Sequence, residues 1–263
     1  MSPYQTIELV IDQSLARLTL NRPDAANGIT PQMAEELMQA IGECALNPRL
    51  RALLITGNGK LFCAGGDVKS FAAFGDNAPL QIRRLMVDLH AAISQLARLP
   101  IPVIIAVNGP AAGAGFGLAC AGDIVFAGES AHFTMAYTAI GLSPDAGASY
   151  FLPRLIGLRR TQQLMLTNRR LSAHEAEQWG IVTEVVADDL LLQTALDCAM
   201  TLANGPTRAF HSVKRLLLQS VQHGLESQLE NEAVLMTEMA GSDDGRTGIT
   251  AFASRQKPVF TGR

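Results

Sequence analysis

Hydrophobic and polar positions follow two different periods along the chain. Continuous or alternating apolar runs predict strands at residues 6–11, 15–20, 51–56, 102–107, 124–127 and 132–134. Apolar positions spaced three and four apart predict helices at residues 31–46, from Val68, at about 79–98 and at 116–121. After Ser143 the pattern is helical, and residues 181–186 are the one clear strand-like segment. The pattern predicts an α/β fold.

A strand, a glycine-containing loop and a helix follow one another twice, at residues 51–74 and again at residues 102–121. Each loop ends at a helix N-terminus, where backbone N–H groups lack an intrahelical acceptor. Two such sets of donors suit the negative oxygen that develops on a carbonyl during acyl chemistry. Tight turns that let a helix pack closely are the alternative interpretation. The spacing of a phosphate-binding GxxxxGK[ST] or GxGxxG motif is absent.

No linker rich in proline or serine divides the chain. We therefore expect one structural unit, with a core at residues 1–200 and a helical C-terminal region at residues 201–263. Residues 99–122 carry no charge, but Asn108, Gly109 and Pro110 interrupt them. A buried strand followed by a helix of small residues explains this segment better than a membrane span.

Composition narrows the possible functions. Hydrophobic residues make up 48% and charged residues 17%, which is typical of a globular domain with a sizeable core. The net charge of −3 gives no basic excess for binding nucleic acid. The four cysteines form no CxxC pair, and the histidines lack the spacing of metal ligands, so we predict reduced thiols, a cytoplasmic location and no metal. The first residues also lack the pattern of a secretory signal.

Five segments together resemble the crotonase superfamily of enoyl-CoA hydratases and isomerases, from about Leu18 to the C-terminus. They are LTLNRPDAANGIT, ITGNGKLFCAGGDVKSF, PVIIAVNGPAAGAGFGLACAGDIVFA, AHFTMAYTAIGLSPDAGASYFLPRLIG and LSAHEAEQWGIV. The resemblance implies a spiral of repeated ββα units, with a C-terminal helical region that forms a homotrimer or a dimer of trimers. It also implies an acyl-CoA thioester as substrate, with coenzyme A as part of that substrate and no separate cofactor.

The resemblance assigns roles to individual positions. Gly66 and Ala114 match the residues whose backbone N–H groups hold the thioester oxygen. Positions that match coenzyme A contacts, mostly through the backbone, are Arg22, Ala25, Ala26, Ala64, Asp67 and Val68. The stretch from Lys257 to Phe260 resembles one that reaches the ligand, often across the trimer interface.

Departures from the family pattern bear on the reaction. The two glutamates of the hydratases are replaced by Gly117 and Tyr137, so addition of water by two carboxylates is not expected. Asp145 lies where several family isomerases place their carboxylate, and we predict that it is the acid and base of a double-bond isomerisation. The alternative is structural: Ser143 and Asp145 match the N-cap and second position of a helix, where an acid is favoured.

Two further hypotheses remain open. In aryl-CoA dehalogenases of the superfamily an aspartate matching Asp145 attacks the ring, and a histidine matching His90 activates water. His90 also flanks the apolar stripe of its helix, which fits a structural histidine equally well. Tyr137 either donates a hydrogen bond or only forms a pocket wall, and we favour the wall. A CoA-binding trimer without catalysis is the third hypothesis.

Overall fold

The computed structural model describes residues 4–263. The strands are β1 (Ile7–Asp12), β2 (Leu15–Leu20), β3 (Ala52–Gly57), β4 (Val103–Val107), β5 (Ala111–Ala112), β6 (Ile124–Gly128), β7 (His132–Thr134), β8 (Leu171–Ser172) and β9 (Glu184–Val186). The helices are α1 (Pro31–Leu46), α2 (Val68–Ala73), α3 (Ala78–Arg98), α4 (Ala114–Cys120), α5 (Ala148–Thr167), α6 (Ala173–Trp179), α7 (Leu191–Ala203), α8 (Thr207–Ser220), α9 (Leu225–Ala240) and α10 (Asp243–Ala253).

Six strands form the main sheet, in the order β1-β2-β3-β4-β6-β9. The hairpin of β1 and β2 is antiparallel, and every other neighbouring pair is parallel. A smaller sheet has the order β5-β7-β8. Because β3 and β4 run side by side in the same direction, the loops that follow them emerge at the same edge of the sheet. This edge carries the site.

Both faces of the central strands are buried, which explains why they read as continuous apolar runs. On β3, Leu53 and Ile55 pack in the cluster that includes α1 and α3, whereas Leu54 packs in the cluster with α7. The alternation of side chains along a strand places these neighbours on opposite faces. The edge of the sheet at which the loops after β3 and β4 emerge therefore lies between two layers of helices.

Most of the predicted elements agree with the structure. Thr30 is the N-cap of α1, where its hydroxyl accepts a hydrogen bond from the N–H of Met33 at 3.2 Å. α4 begins at Ala114, two residues before the predicted start. The predicted strand at residues 181–186 is shorter and begins at Glu184. The two-residue strands β5 and β8 are too short to produce a periodic signal.

The C-terminal region consists of α8, α9 and α10, as expected. The predicted boundary at residue 200 falls within α7, so the division at that position remains a prediction. α8 and α9 expose several large apolar side chains: Val213, Leu217, Leu229, Val234 and Met236.

Candidate active site

The loops that follow β3 and β4 are joined by backbone hydrogen bonds. The N–H of Cys63 donates to the carbonyl of Pro110 at 3.2 Å, and the N–H of Ala112 donates to the carbonyl of Cys63 at 2.9 Å. These bonds form a short parallel bridge between Cys63 and Ala111. The bridge fixes the register of one loop against the other.

Backbone packs against backbone where the loops meet, and this requires a glycine. Gly65 has a φ of +91°, and a Cβ at this position would lie 2.8 Å from the carbonyl oxygen of Ala112 and 3.3 Å from the nitrogen of Ala114. Only a residue without a side chain permits this approach. The amides of residues 66 and 114 are thereby brought to neighbouring positions.

Neither of these two amides is used by the fold. Among residues 4–263, the N–H of Gly66 and the N–H of Ala114 donate to no backbone or side-chain acceptor. Gly66 lines a cavity of about 280 Å³, as does Gly113, the residue that precedes Ala114. Two unsatisfied donors beside one cavity can stabilise a negative oxygen.

The cavity is mostly apolar. Its walls include Phe71, Ile82, Met86, Met135, Ile140 and Leu142. Phe71 was not among the predicted site residues, although its ring would lie 2.7 Å from a Cβ on Gly66. The sequence signal for the contact between Phe71 and Gly66 is their separation of five residues, which places Phe71 in the first turn of α2. The titratable side chains that line it are those of His90, Tyr137 and Asp145.

Tyr137 donates a hydrogen bond from its hydroxyl to Oδ1 of Asp145. Burial raises the pKa of Asp145, although this hydrogen bond and the charge of His90 act in the opposite direction. Burial and the neighbouring carboxylate raise the pKa of Tyr137, so its hydroxyl stays protonated at neutral pH. Tyr137 thus both lines the cavity and donates a hydrogen bond, whereas the sequence favoured a wall alone.

The alternative interpretation, that Ser143 and Asp145 cap a helix, is wrong. α5 begins at Ala148, and its N-cap is Gly147. Ala146 has a φ of +48° and Gly147 a φ of +74°, and these left-handed conformations are incompatible with helix. The Asp145 side chain is therefore directed to the cavity and to Tyr137 rather than to backbone amides.

Gly117, which replaces the first of the two hydratase glutamates, leaves no space for a glutamate side chain. A Cβ on Gly117 would lie 2.8 Å from the carbonyl oxygen and 2.9 Å from the Cβ of Ala146. α4 and the segment before α5 therefore pack with no side chain between them. A carboxylate at residue 117 would require both backbones to move.

His90 is an exposed residue of α3 that lines the first cavity and a second one of about 390 Å³. Pro144 and Asp145 line both cavities as well. The structure brings His90 and Asp145 together, as predicted, and both line two cavities rather than one.

Five of the six positions predicted to contact coenzyme A are linked at one side of the first cavity. Nη2 of Arg22 lies 3.1 Å from Oδ2 of Asp67, the N-cap of α2. The N–H of Ala64 donates to the carbonyl of Ala26 at 3.0 Å. Ala64 and Val68 are exposed and line the cavity.

Ala25 completes this group, because its carbonyl accepts a hydrogen bond from Gly28 and the residue itself is exposed. Lys257 and Phe260 lie elsewhere in the chain. The carbonyl of Phe260 accepts from Arg51, just before β3, whereas the site follows the other end of β3. A strand of six residues spans about 20 Å.

Cys63 lies beside the unsatisfied amides but is fully buried. Burial raises the pKa of its thiol to about 12, so it is no thiolate at neutral pH. Across residues 4–263, no group of three His, Cys, Asp or Glu side chains forms a possible metal site. In the same part of the chain, no helix has both the length and the apolar character that crossing a membrane requires.

A family model described as enoyl-CoA hydratase/isomerase matches residues 10–263. The chain belongs to this family. It is therefore an enzyme of the enoyl-CoA hydratase/isomerase family, and the resemblance seen in the sequence is confirmed.

Relatives with different reactions have similar sequences. The chain is 37% identical to 1,2-epoxyphenylacetyl-CoA isomerase of Escherichia coli, over 96% of this chain and 97% of that protein. It is 33% identical to trans-2-decenoyl-[acyl-carrier-protein] isomerase of Streptococcus mutans, over 99% of each.

A crystal structure of an enoyl-CoA hydratase from Polaromonas sp. JS666 matches with a TM-score of 0.93 and 33% identity, over 97% of this chain and 99% of that one. The predicted crotonase-like fold is confirmed.

Proposed function

We propose that this enzyme moves a double bond within an unsaturated acyl-CoA thioester, with Asp145 as the only acid and base. The observation that carries the proposal is the composition of the two cavities. Within residues 4–263, Asp145 is the only carboxylate that lines either of them. Isomerisation needs one group that takes a proton and returns it, and no second carboxylate.

The thioester oxygen would accept hydrogen bonds from the free N–H groups of Gly66 and Ala114. Two hydrogen bonds to this oxygen stabilise the enolate and make the C–H beside the carbonyl more acidic. Losing one such donor typically lowers the rate about 10²–10³-fold. Because both donors are backbone groups, substitution at these positions acts through displacement of the loops.

The proton transfer follows from the position of Asp145. In a 3-enoyl thioester, the carboxylate removes a proton from C2, and the electron pair of that C–H bond forms a dienolate across C2, C3 and C4. The same carboxyl then gives the proton to C4, which leaves the double bond between C2 and C3. Burial makes Asp145 a stronger base than an exposed aspartate, and the Tyr137 hydroxyl orients it.

Addition of water by two carboxylates is disfavoured by the same geometry. Gly117 has no space for a side chain, and Tyr137 donates to Asp145 instead of supplying a second carboxylate. Hydration therefore lacks the second carboxylate that would activate water while Asp145 protonates carbon.

Substitution of Asp145 by Asn tests the proposal. We expect the kcat for conversion of 3-hexenoyl-CoA to the conjugated 2-isomer, measured by ultraviolet absorbance, to fall about 10²–10⁴-fold. The affinity for hexanoyl-CoA should persist. Asp189→Asn, at an exposed position before α7, is the control and should keep full activity. Unchanged turnover in Asp145→Asn would reject the assignment.

A second candidate reaction is aryl-CoA dehalogenation, which the shared position of His90 and Asp145 between the cavities favours. Here a carboxylate oxygen of Asp145 bonds to the ring carbon and halide leaves, after which water deprotonated by His90 hydrolyses the aryl ester. Incubation of His90→Gln with 4-chlorobenzoyl-CoA would then accumulate an ester on Asp145, detectable by mass spectrometry. Affinity for acyl-CoA without turnover of either substrate class would instead support a non-catalytic CoA-binding role.

We propose that the assembly is a homotrimer or a dimer of trimers, in which Lys257 and Phe260 of one copy approach the coenzyme A bound to another. The distance of Phe260 from the site within one chain and the apolar surface of α8 and α9 support this. Lys257→Glu should weaken the affinity for coenzyme A thioesters but not for pantetheine thioesters, which lack the nucleotide. Equal weakening of both would contradict the assigned role.

A further inference from the structure

Asn27 is a polar residue that lies completely buried between the segment after β2 and the loop that follows β3. Its exposed fraction is 0%. Its side-chain amide nitrogen donates to the carbonyls of Asn58 and Leu61 at 2.9 Å and to the carbonyl of Phe62 at 3.1 Å. The two hydrogens of one amide group therefore serve three acceptors of a single loop. These hydrogen bonds hold residues 58–62 against the segment that contains Asn27.

The other polar atoms of Asn27 fix its own backbone. Its Oδ1 accepts from the N–H of Arg22 at 2.8 Å, and its N–H donates to the carbonyl of Arg22 at 2.9 Å. Its carbonyl accepts from the thiol of Cys63 at 3.1 Å. The φ of Asn27 is +50°, a conformation that asparagine adopts more readily than most residues. Each of its four polar atoms thus has a partner within the protein.

Two residues farther along, the same segment pairs with the backbone around Gly66. The N–H of Ile29 donates to the carbonyl of Gly65 at 2.8 Å, and the N–H of Asp67 donates to the carbonyl of Ile29 at 2.9 Å. The peptide between Gly65 and Gly66 is trans, so its N–H points opposite to its carbonyl. Since that carbonyl points to Ile29 in the buried core, the N–H of Gly66 points away from Ile29. This pairing leaves the N–H of Gly66 without a partner in the fold.

We infer that Asn27 is a positioning residue that sets the direction of the Gly66 N–H. Its side chain holds the loop before Cys63, and its backbone leads into the pairing at Ile29, so it acts on Gly66 from two sides. The inference rests on the proposed function, in which the thioester oxygen accepts a hydrogen bond from this N–H. Stabilisation of a developing oxyanion requires a donor that is held in place beforehand. Removal of the Asn27 amide takes the donor from three carbonyls and releases this loop.

The infrared band of the bound thioester carbonyl tests the inference without catalysis. Hydrogen bonds to a carbonyl oxygen lower its stretching frequency, and a heavy carbon isotope in the thioester carbonyl of hexanoyl-CoA separates this band from those of the protein. We expect the wild-type enzyme to lower the frequency relative to the free thioester, and Asn27→Gly to lower it less. Glycine keeps the positive φ of residue 27 and removes only the side chain. Saturation with ligand makes the comparison independent of affinity.

The kinetics of Asn27→Gly provide a second readout. A misplacement of about 1 Å costs about 10²-fold in rate, so a smaller displacement of the Gly66 N–H should lower kcat on 3-hexenoyl-CoA about tenfold. KM should change less than kcat, because the hydrogen bonds to the oxygen strengthen in the transition state. Asn27→Asp keeps the shape of the side chain but replaces the donating nitrogen with an oxygen, and it should change the frequency and kcat in the same direction.

Asn108→Ala is the matched control, because Asn108 binds the same loop at the end that is farther from Gly66. Its Oδ1 accepts from the N–H of Gly57 at 3.0 Å, and its Nδ2 donates to the carbonyl of Gly59 at 3.0 Å. We expect Asn108→Ala to lower Tm, as Asn27→Gly does, but to keep the wild-type frequency and kcat. If Asn27→Gly lowered Tm alone, the residue would have only a structural role and the inference would be overturned.

Turnover by the wild-type enzyme separates this inference from the proposed function. Isomerisation of 3-hexenoyl-CoA with equal carbonyl frequencies for the free and the bound thioester would uphold the isomerase and overturn the role of Asn27, and this result needs no variant. A lowered frequency that Asn27→Gly partly restores, without turnover of 3-hexenoyl-CoA by the wild type, would uphold the role of Asn27 and reject the isomerase.

Discussion

The contact between α4 and the segment before α5 leads to a prediction about one methyl group. Gly117→Ala places a Cβ 2.8 Å from the carbonyl oxygen of Ala146, whereas ordinary van der Waals contact begins at 3.4 Å. The segment must therefore move by about 0.6 Å. Because Asp145 is the residue before Ala146, the substitution displaces the proposed base without changing any group that touches the substrate.

Two opposite contributions determine the stability of Gly117→Ala. Alanine within a helix is favoured over glycine by about 1 kcal/mol, and overpacking of a buried contact costs about 1–3 kcal/mol. The net change is a loss of about 0–2 kcal/mol, which lowers Tm by about 0–8 °C in a chain of this size. A misplacement of about 1 Å costs about 10²-fold in rate, so the smaller displacement should reduce kcat about tenfold.

Gly42→Ala is the matched control. Gly42 also lies within a helix, α1, but a Cβ there would meet only Oε1 of Gln95 at 3.5 Å. This variant should gain up to about 1 kcal/mol in urea unfolding and keep its kcat on 3-hexenoyl-CoA. If Gly117→Ala gained the same stability and lost no activity, the tight contact would be refuted as a determinant of the Asp145 position.

Three further outcomes follow from the same geometry. Tyr137→Phe removes a hydrogen bond that lowers the pKa of Asp145, so the acid limb of kcat/KM should move to higher pH, and an unchanged pH profile would contradict this. Gly65→Ala should lower both Tm and kcat, because its Cβ meets backbone, whereas Gly75→Ala, also at positive φ but in open space, should lower Tm slightly and leave kcat unchanged. Lys214→Met leaves the part-exposed carboxylate of Asp123 without its partner at 2.7 Å and should cost about 1 kcal/mol in denaturant unfolding, part of which a double variant that also carries Asp123→Asn should recover.

The sequence predicts those parts of the fold that local signals determine. Thr30 and Pro31 indicate the start of α1, and the apolar stripe of α3 predicts both its bounds within one residue. Leu53 to Ile55 read as a buried strand because both faces are covered. Elements of two residues, such as β5, remain undetected because they are defined by partners far along the chain.

The candidate site likewise combines features that local sequence signals predict with features that depend on contacts between distant segments. Motif positions identified Gly66 and Ala114, but their free N–H groups depend on the contact of two loops about 50 residues apart. The sequence does not favour the hydrogen bond between Tyr137 and Asp145. Nothing in it specifies the left-handed conformation of Ala136 or Ala146, the two residues that flank this segment. Alanine carries no signal for positive φ, in contrast to glycine or asparagine.

One backbone feature explains both the wrong helix boundary and the chemistry of Asp145. If α5 began at Pro144, the carboxylate would accept hydrogen bonds from backbone amides in the first turn, which lower its pKa and hold it away from the cavity. The left-handed residues Ala146 and Gly147 delay the helix to Ala148 and leave Asp145 with the Tyr137 hydroxyl as its hydrogen-bond donor. Burial then dominates and raises the pKa of Asp145. The turn thus converts a residue with the sequence signature of a helix cap into a buried carboxylate that can act as a base.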